Sequence, residues 1–269
     1  MGRITFDSVC GDLGFQDALS QECAPRVSAS RGRAHDISMG TTIIAMHYRD
    51  GVIFAADSRT SSGPIVVNRV ARKITRILPN VFMLRSGSAA DTQMLSMIIR
   101  YHAQALCLQL RKAGRRSTED ARESDDSMQV DCEMYTEGEY IYQYDDSMVC
   151  PPLKALATAT HNVMHEYREQ LYCGVILGGY DMASGPEIYN VTLGGTLLKI
   201  PEFVASGSGS GYITAFLQDN YEPNMTREKC LELLKRAIKY AIDIDNSSGG
   251  LMRAVAVSRY GVSEFCFTF

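Results

Sequence analysis

The sequence predicts an α+β protein, a four-layer αββα sandwich in which two antiparallel sheets are each covered by a pair of helices. Three observations carry that expectation. Along the 269 residues, strand-like runs, two amphipathic helical stretches, further strands, two more helical stretches and closing strands follow one another. The first strands meet at Asp50-Gly51, a strong hairpin signal. Each helical stretch has an apolar face that needs a sheet to cover it, and a single sheet would use about ten strands poorly.

Residues 1–40 have weak periodicity and a polar stretch at Ser28–Ser38, and read as a leader outside the core. From Thr41 the pattern changes. Thr41–Tyr48 and Val52–Asp57 alternate as strands around the Asp-Gly turn, and Ile74–Leu78 and Val81–Arg85 repeat the arrangement around Pro79-Asn80. These four runs are expected to share one antiparallel sheet. A helix is expected from near Ser88 to Gly114, with Ala90, Met94, Met97, Ile98, Tyr101, Ala105 and Leu108 as its apolar face. Residues 117–146 then hold eleven Asp and Glu against the single base Arg122. With no periodicity, the insertion at about 114–148 is expected to be disordered or mobile.

Pro151-Pro152 suits the start of a second helix, which Leu153, Leu156, Ala157, Thr160 and Met164 carry to about Gln170. Strands follow at Gly174–Tyr180, Glu187–Val191 and Thr196–Ile200. Gly207–Gly211 opens a short helix. A long one spans Arg227–Ile244, capped by Thr226 and apolar along Leu231, Leu234, Ile238, Ala241 and Ile242. Leu251–Val257 and Ser263–Phe267 close the chain as strands.

Composition narrows the function. A net charge of −4 gives no reason to expect nucleic acid or an anionic membrane as partner. No apolar run approaches the roughly 20 residues that span a bilayer. Eight scattered cysteines form no C-x-x-C pair and read as reduced thiols of a reducing compartment. Met1-Gly2 lacks the hydroxyl residue that myristoylation wants where Phe6 stands. Ser206–Gly211 lacks the Gly-Lys-Ser/Thr ending of a phosphate loop. His161 and His165 lie four apart on a helix with no third ligand, so no metal and no cofactor are expected.

The chemistry centres on Gly40-Thr41. Were that peptide bond cut, Thr41 would carry a hydroxyl nucleophile and, on the same residue, an α-amine that titrates near neutrality at about 7.7–8.0. A neighbouring lysine cation would depress the amine's pKa by like-charge repulsion and keep more of it neutral and able to act as a base, and a carboxylate could hold that lysine in place. Lys73 and Asp57 are candidates, though spacing alone does not single them out.

Several longer runs add to this. Gly40-Thr41-Thr42-Ile43-Ile44-Ala45 and Gly51-Val52-Ile53-Phe54-Ala55-Ala56-Asp57-Ser58-Arg59-Thr60 resemble the start of catalytic beta-type proteasome subunits, of the N-terminal nucleophile hydrolase superfamily. So do Asn68-Arg69-Val70-Ala71-Arg72-Lys73-Ile74, Arg85-Ser86-Gly87-Ser88-Ala89-Ala90-Asp91-Thr92-Gln93, Gly207-Ser208-Gly209-Ser210 and Asp245-Asn246-Ser247-Ser248-Gly249-Gly250.

The resemblance implies a threonine endopeptidase. Residues 1–40 would be removed by autolysis at Gly40-Thr41, leaving a catalytic domain of 41–269. It implies Thr41 as nucleophile with Asp57 and Lys73 beside it. Ser208, Asp245 and Ser248 would order the amine and a water, and the Gly87 N–H would serve as oxyanion donor. Thr60, Ser61 and Ala89 would line the substrate site. Arg85 would stand at the base of the specificity pocket and favour an acidic side chain before the scissile bond, as in the caspase-like type.

Expected partners are other alpha- and beta-type subunits in stacked seven-membered rings and unfolded or ubiquitin-tagged polypeptides, in cytoplasm and nucleus. Two other readings stay open at this point: an inactive ring subunit, and a small-molecule amidohydrolase of the same fold.

Overall fold

The structure is a computed structural model, and it describes residues 40–62, 65–115, 138–143 and 150–269. The first part of the chain gives β1 (Ile43–Tyr48), β2 (Gly51–Ala56), β3 (Thr60–Ser62), β4 (Ile65–Asn68), β5 (Ile74–Leu78), β6 (Val81–Gly87) and α1 (Ala89–Arg115). Next come β7 (Gly138–Gln143), α2 (Leu153–Glu166), β8 (Cys173–Asp181), β9 (Gly185–Val191), β10 (Leu197–Ile200) and β11 (Phe203–Ser206). The chain ends with α3 (Ser210–Asn220), α4 (Arg227–Ile244), β12 (Met252–Ser258) and β13 (Gly261–Phe267).

One antiparallel sheet runs β11-β1-β2-β12-β13-β7 and the other β10-β9-β8-β6-β5, with β3 and β4 as a separate ribbon. Strand alternation sorts the core into three layers. Ile44, Met46 and Ile53 face Leu234 and Ile238 of α4, while Ile43, Ala45 and Phe54 face Phe82, Leu84 and Ile176 of the other sheet. On the far side Met83, Val175 and Leu177 meet Leu95 and Ile99 of α1 and Leu156 of α2. Each central strand is buried on both faces, so it reads as an unbroken apolar run. The αββα sandwich is the fold the sequence predicts.

Phe54 is fully buried between the sheets, its ring centroid 6.3 Å from that of Phe82. Phe54→Ala is expected to cost about 3–5 kcal/mol of stability by opening a cavity there, as denaturant titration of the purified chain would measure.

Local assignments needed correction. The first four expected strands do not share a sheet: β1 and β2 lie in one, β5 and β6 in the other. A hairpin apolar on both faces does not encode which sheet it joins. The α1 face picked from periodicity is the outer one, because Met94, Met97, Tyr101 and Leu108 are exposed and Leu95, Ile99 and Ala103 are buried. That helix carries two apolar stripes, and spacing alone cannot choose between them.

β3, β4 and β11 were not expected. α2 ends at Glu166 rather than near Gln170. Within the acidic insertion, β7 forms and pairs with β13 from Gly138↔Cys266 to Gly261↔Gln143. Tyr140, Ile141 and Tyr142 favour a strand once an edge accepts their backbone, and the acidic neighbours hid that signal. The rest of the insertion and the leader up to residue 39 lie outside the described residues.

Candidate active site

Thr41 enters β1 at the end of the six-stranded sheet and is almost fully buried. Directly after β2, Asp57 turns its carboxylate under the start of β1. Oδ1 accepts from Thr42 N at 2.9 Å and from Lys73 Nζ at 2.7 Å, and Oδ2 accepts from Gly249 N at 3.0 Å and Arg59 N at 3.2 Å. Four donors satisfy both oxygens of this buried carboxylate.

Lys73 precedes β5, and its amine also donates to the Gly40 carbonyl at 3.1 Å. Burial lowers the Lys73 pKa from its ordinary value, while the charge and hydrogen bond of Asp57 pull it back up. The Thr41 hydroxyl donates to that same Gly40 carbonyl at 2.6 Å. A cation and the candidate nucleophile thus converge on the carbonyl of one peptide bond. Residue 40 must be glycine because a Cβ there would stand 2.0 Å from the Ser247 carbonyl oxygen.

The other side of Thr41 is polar. Thr41 N donates to Ser208 Oγ at 3.1 Å, and Ser208 Oγ donates to Asp245 Oδ2 at 2.7 Å. Ser248 Oγ donates to the same oxygen at 2.7 Å and bonds Thr42 Oγ1 at 2.7 Å. Asp245 caps the C-terminus of α4, and the following turn brings Ser248 back to β1. The Thr41 nitrogen is therefore linked to the Ser208 hydroxyl and, through it, to the Asp245 carboxylate.

Thr41 opens onto a cleft of about 310 Å³. Thr60, Ser61, Asn68, Ala71, Arg72, Lys73, Arg85, Gly87, Ala89, Thr92 and Gln93 line it, with no carboxylate among the lining residues. Arg85 Nη2 donates to the Arg72 carbonyl, which fixes the guanidinium in place. Burial, with a smaller contribution from the Arg100 charge, lowers the Arg85 pKa. Its desolvated charge favours an anion in the cleft.

The structure brings Gly40, Thr41, Asp57, Lys73, Ser208, Asp245 and Ser248 into one hydrogen-bonded group, and places Thr60, Ser61, Arg85, Gly87 and Ala89 on the adjoining cleft. Sequence reasoning missed Thr42, Asn68, Arg72, Thr92 and Gln93, and also Arg59, whose guanidinium donates to Asn246 O at 3.0 Å beside Gly249. Their only signal is proximity in sequence to residues already chosen. His161 and His165 stack with centroids 5.8 Å apart, and His161 Nδ1 contacts the Gly195 carbonyl.

In sequence the chain is similar to proteasome subunits. A family profile described as "Proteasome subunit" matches residues 37–119 and 113–257. The chain is 34% identical over 232 residues to "Probable proteasome subunit beta type-1" of Schizosaccharomyces pombe, covering 86% of each. It is 33% identical over 242 residues to "Proteasome subunit beta type-1" of Saccharomyces cerevisiae, covering 90% of this chain and 94% of that one. To "Proteasome subunit beta type-6" of Arabidopsis thaliana it is 34% identical over 227 residues, 84% of this chain and 81% of the other.

Proposed function

Because this chain belongs to the proteasome subunit family, as a beta-type member of the N-terminal nucleophile hydrolases, we propose that it is a threonine endopeptidase subunit of the proteasome core particle. The convergence of Thr41 Oγ1 and Lys73 Nζ on the Gly40 carbonyl supports this reading most directly.

Maturation begins when Thr41 Oγ attacks the Gly40 carbonyl carbon. The Oγ–C bond forms, the hydroxyl proton passes to the Thr41 nitrogen through the Ser208 and Asp245 side, and the C–N bond breaks to leave an ester. Water then hydrolyses the ester, giving a Gly40 carboxylate and a Thr41 with free amine and hydroxyl. The same machinery acts on substrate, with the amine as general base and an acyl-Thr41 intermediate that water releases.

Residues 1–40 are in this reading a temporary leader. The leading partners are other alpha- and beta-type subunits in stacked rings, and the exposed apolar stripe of Met94, Met97, Tyr101 and Leu108 on α1 supports burial against a neighbour. The substrates are unfolded polypeptides, and the site of action is cytoplasm and nucleus.

We further propose the caspase-like preference for an acidic residue before the scissile bond, from Arg85 and Arg72 in a cleft without lining carboxylates. Arg85→Met is expected to lower kcat/KM for peptides with Glu or Asp at that position by about 10- to 100-fold, the loss of a charge-assisted bond. Peptides with an apolar residue there should be cleaved no more slowly. Fluorogenic peptides on core particles carrying the variant chain test this, and equal losses on both substrates would count against the preference.

A further inference from the structure

The wall of the cleft that carries Gly87 is held by a closed set of hydrogen bonds outside the group around Thr41. Arg85 N donates to Lys73 O at 2.9 Å, on the β5 side of β6. N–H groups two residues apart on a strand face the same way, so the Gly87 N–H also faces that side. The β5–β6 ladder has ended at Ile74↔Leu84 by then, and the cleft with Gly40 and Thr41 lies there instead.

Ser88 N faces the opposite side and donates to Tyr172 O at 2.8 Å. Tyr172 N in turn donates to Asp91 Oδ2 at 3.1 Å, and Asp91 N donates to Ser88 Oγ at 3.4 Å. The ring of bonds joins the start of α1 to the turn that enters β8. Gly87 sits tightly inside it, with φ at +104° and a built Cβ only 2.4 Å from Tyr172 O. Asp91 lies in the first turn of α1, where an acidic side chain complements the positive end of the helix.

We propose that Asp91 is a positioning residue: its carboxylate holds the Tyr172 backbone against Ser88 and thereby aims the Gly87 N–H at the oxyanion that develops on the scissile carbonyl. The inference rests on the endopeptidase reading above. Asp91 touches neither Thr41 nor the cleft, so it acts through Gly87 alone. A displaced oxyanion donor weakens an interaction made in the transition state and not in the bound substrate, and the loss therefore falls on kcat with KM unchanged.

The test compares assembled core particles carrying wild-type, Asp91→Leu, Asp91→Asn or Thr41→Ala chains on peptides with an acidic residue before the bond. Asp91→Leu replaces the acceptor with an apolar side chain and is expected to lower kcat about tenfold, with KM within twofold. Asp91→Asn keeps an acceptor oxygen for Tyr172 N and should recover most of the rate, which general loosening of the fold would not allow. If Asp91→Leu particles do not assemble, Asp91→Glu replaces them; its extra methylene displaces the carboxylate, and the same kcat loss is expected. Unchanged kcat, or a loss confined to KM, overturns the role of Asp91. Wild-type particles no more active than Thr41→Ala particles would instead overturn the endopeptidase reading itself.

Discussion

Core particles carrying Thr41→Ala are expected to lose all cleavage owed to this chain and to retain residues 1–40 on it. The two losses have one cause. Alanine has no oxygen to attack the Gly40 carbonyl, so the ester that precedes bond breakage cannot form and no free α-amine appears. Neither neighbouring hydroxyl is placed to substitute: Ser208 Oγ faces the Thr41 nitrogen and Asp245, and Thr42 Oγ1 is turned to Ser248. The loss should exceed about 10³-fold, as for removal of a catalytic nucleophile. N-terminal sequencing separates the steps, since a variant chain that had still lost its leader would mean that another residue performs the cut. Thr41→Ser, which restores the oxygen, is expected to process and to cleave.

Breaking the Asp57–Lys73 pair is expected to have the next largest effect, and the two halves of the pair should not behave alike. Both side chains are buried, 0% and 8% exposed. Lys73→Ala leaves Asp57 with three backbone N–H donors, from Thr42, Arg59 and Gly249, so the carboxylate stays satisfied. Asp57→Ala leaves the Lys73 amine with the Gly40 carbonyl as its remaining acceptor among the described residues. It also strips Thr42 N, Arg59 N and Gly249 N of their acceptor at once.

Asp57→Ala should therefore destabilise the chain by about 3–5 kcal/mol, the usual consequence of orphaning one member of a buried pair, and Lys73→Ala by clearly less. Without its counter-ion, burial would drive the lysine toward the neutral form. Both variants are expected to abolish cleavage, because each removes the cation from the Gly40 carbonyl. Denaturant unfolding beside a peptide assay checks the ordering. Equal stability losses would show that the backbone donors around Asp57 do not compensate for the missing ammonium.

The four layers were legible in the sequence because each central strand is apolar on both faces and each helix apolar on at least one. Ile43-Ile44-Ala45-Met46 announces a doubly covered strand wherever it packs. The site was legible for a different reason. Gly40-Thr41, the run ending at Asp57-Ser58-Arg59-Thr60, Lys73 and the later Gly-Ser and Asp-Asn-Ser-Ser-Gly-Gly runs carry chemistry in their residue types, and their resemblance to a known family ties them together.

What sequence could not supply was the partner of each surface. The hairpins Ile43–Ala56 and Ile74–Gly87 have the same local pattern, and only packing puts them in opposite sheets. The two apolar stripes of α1 are equivalent by spacing. The inward one is Leu95, Ile99 and Ala103, because the helix axis is fixed by its join to β6 and its seat over Met83 and Leu177. The strand inside the acidic insertion exists because β13 has a free edge to accept it, a fact stored more than a hundred residues away.

The same division holds at Gly40-Thr41. The sequence by itself determined that a small residue and a hydroxyl stand at the start of the first strand, with a lysine and a carboxylate in the chain to serve them. Only the tertiary structure decided that Ser247 leaves no room for a Cβ at residue 40, that Lys73 and Thr41 reach the same carbonyl oxygen, and that Asp57 lies beneath both. Residue types fix which reactions are possible. Distances of about 3 Å between residues 16 to 206 positions apart are set only when the two sheets close on one another.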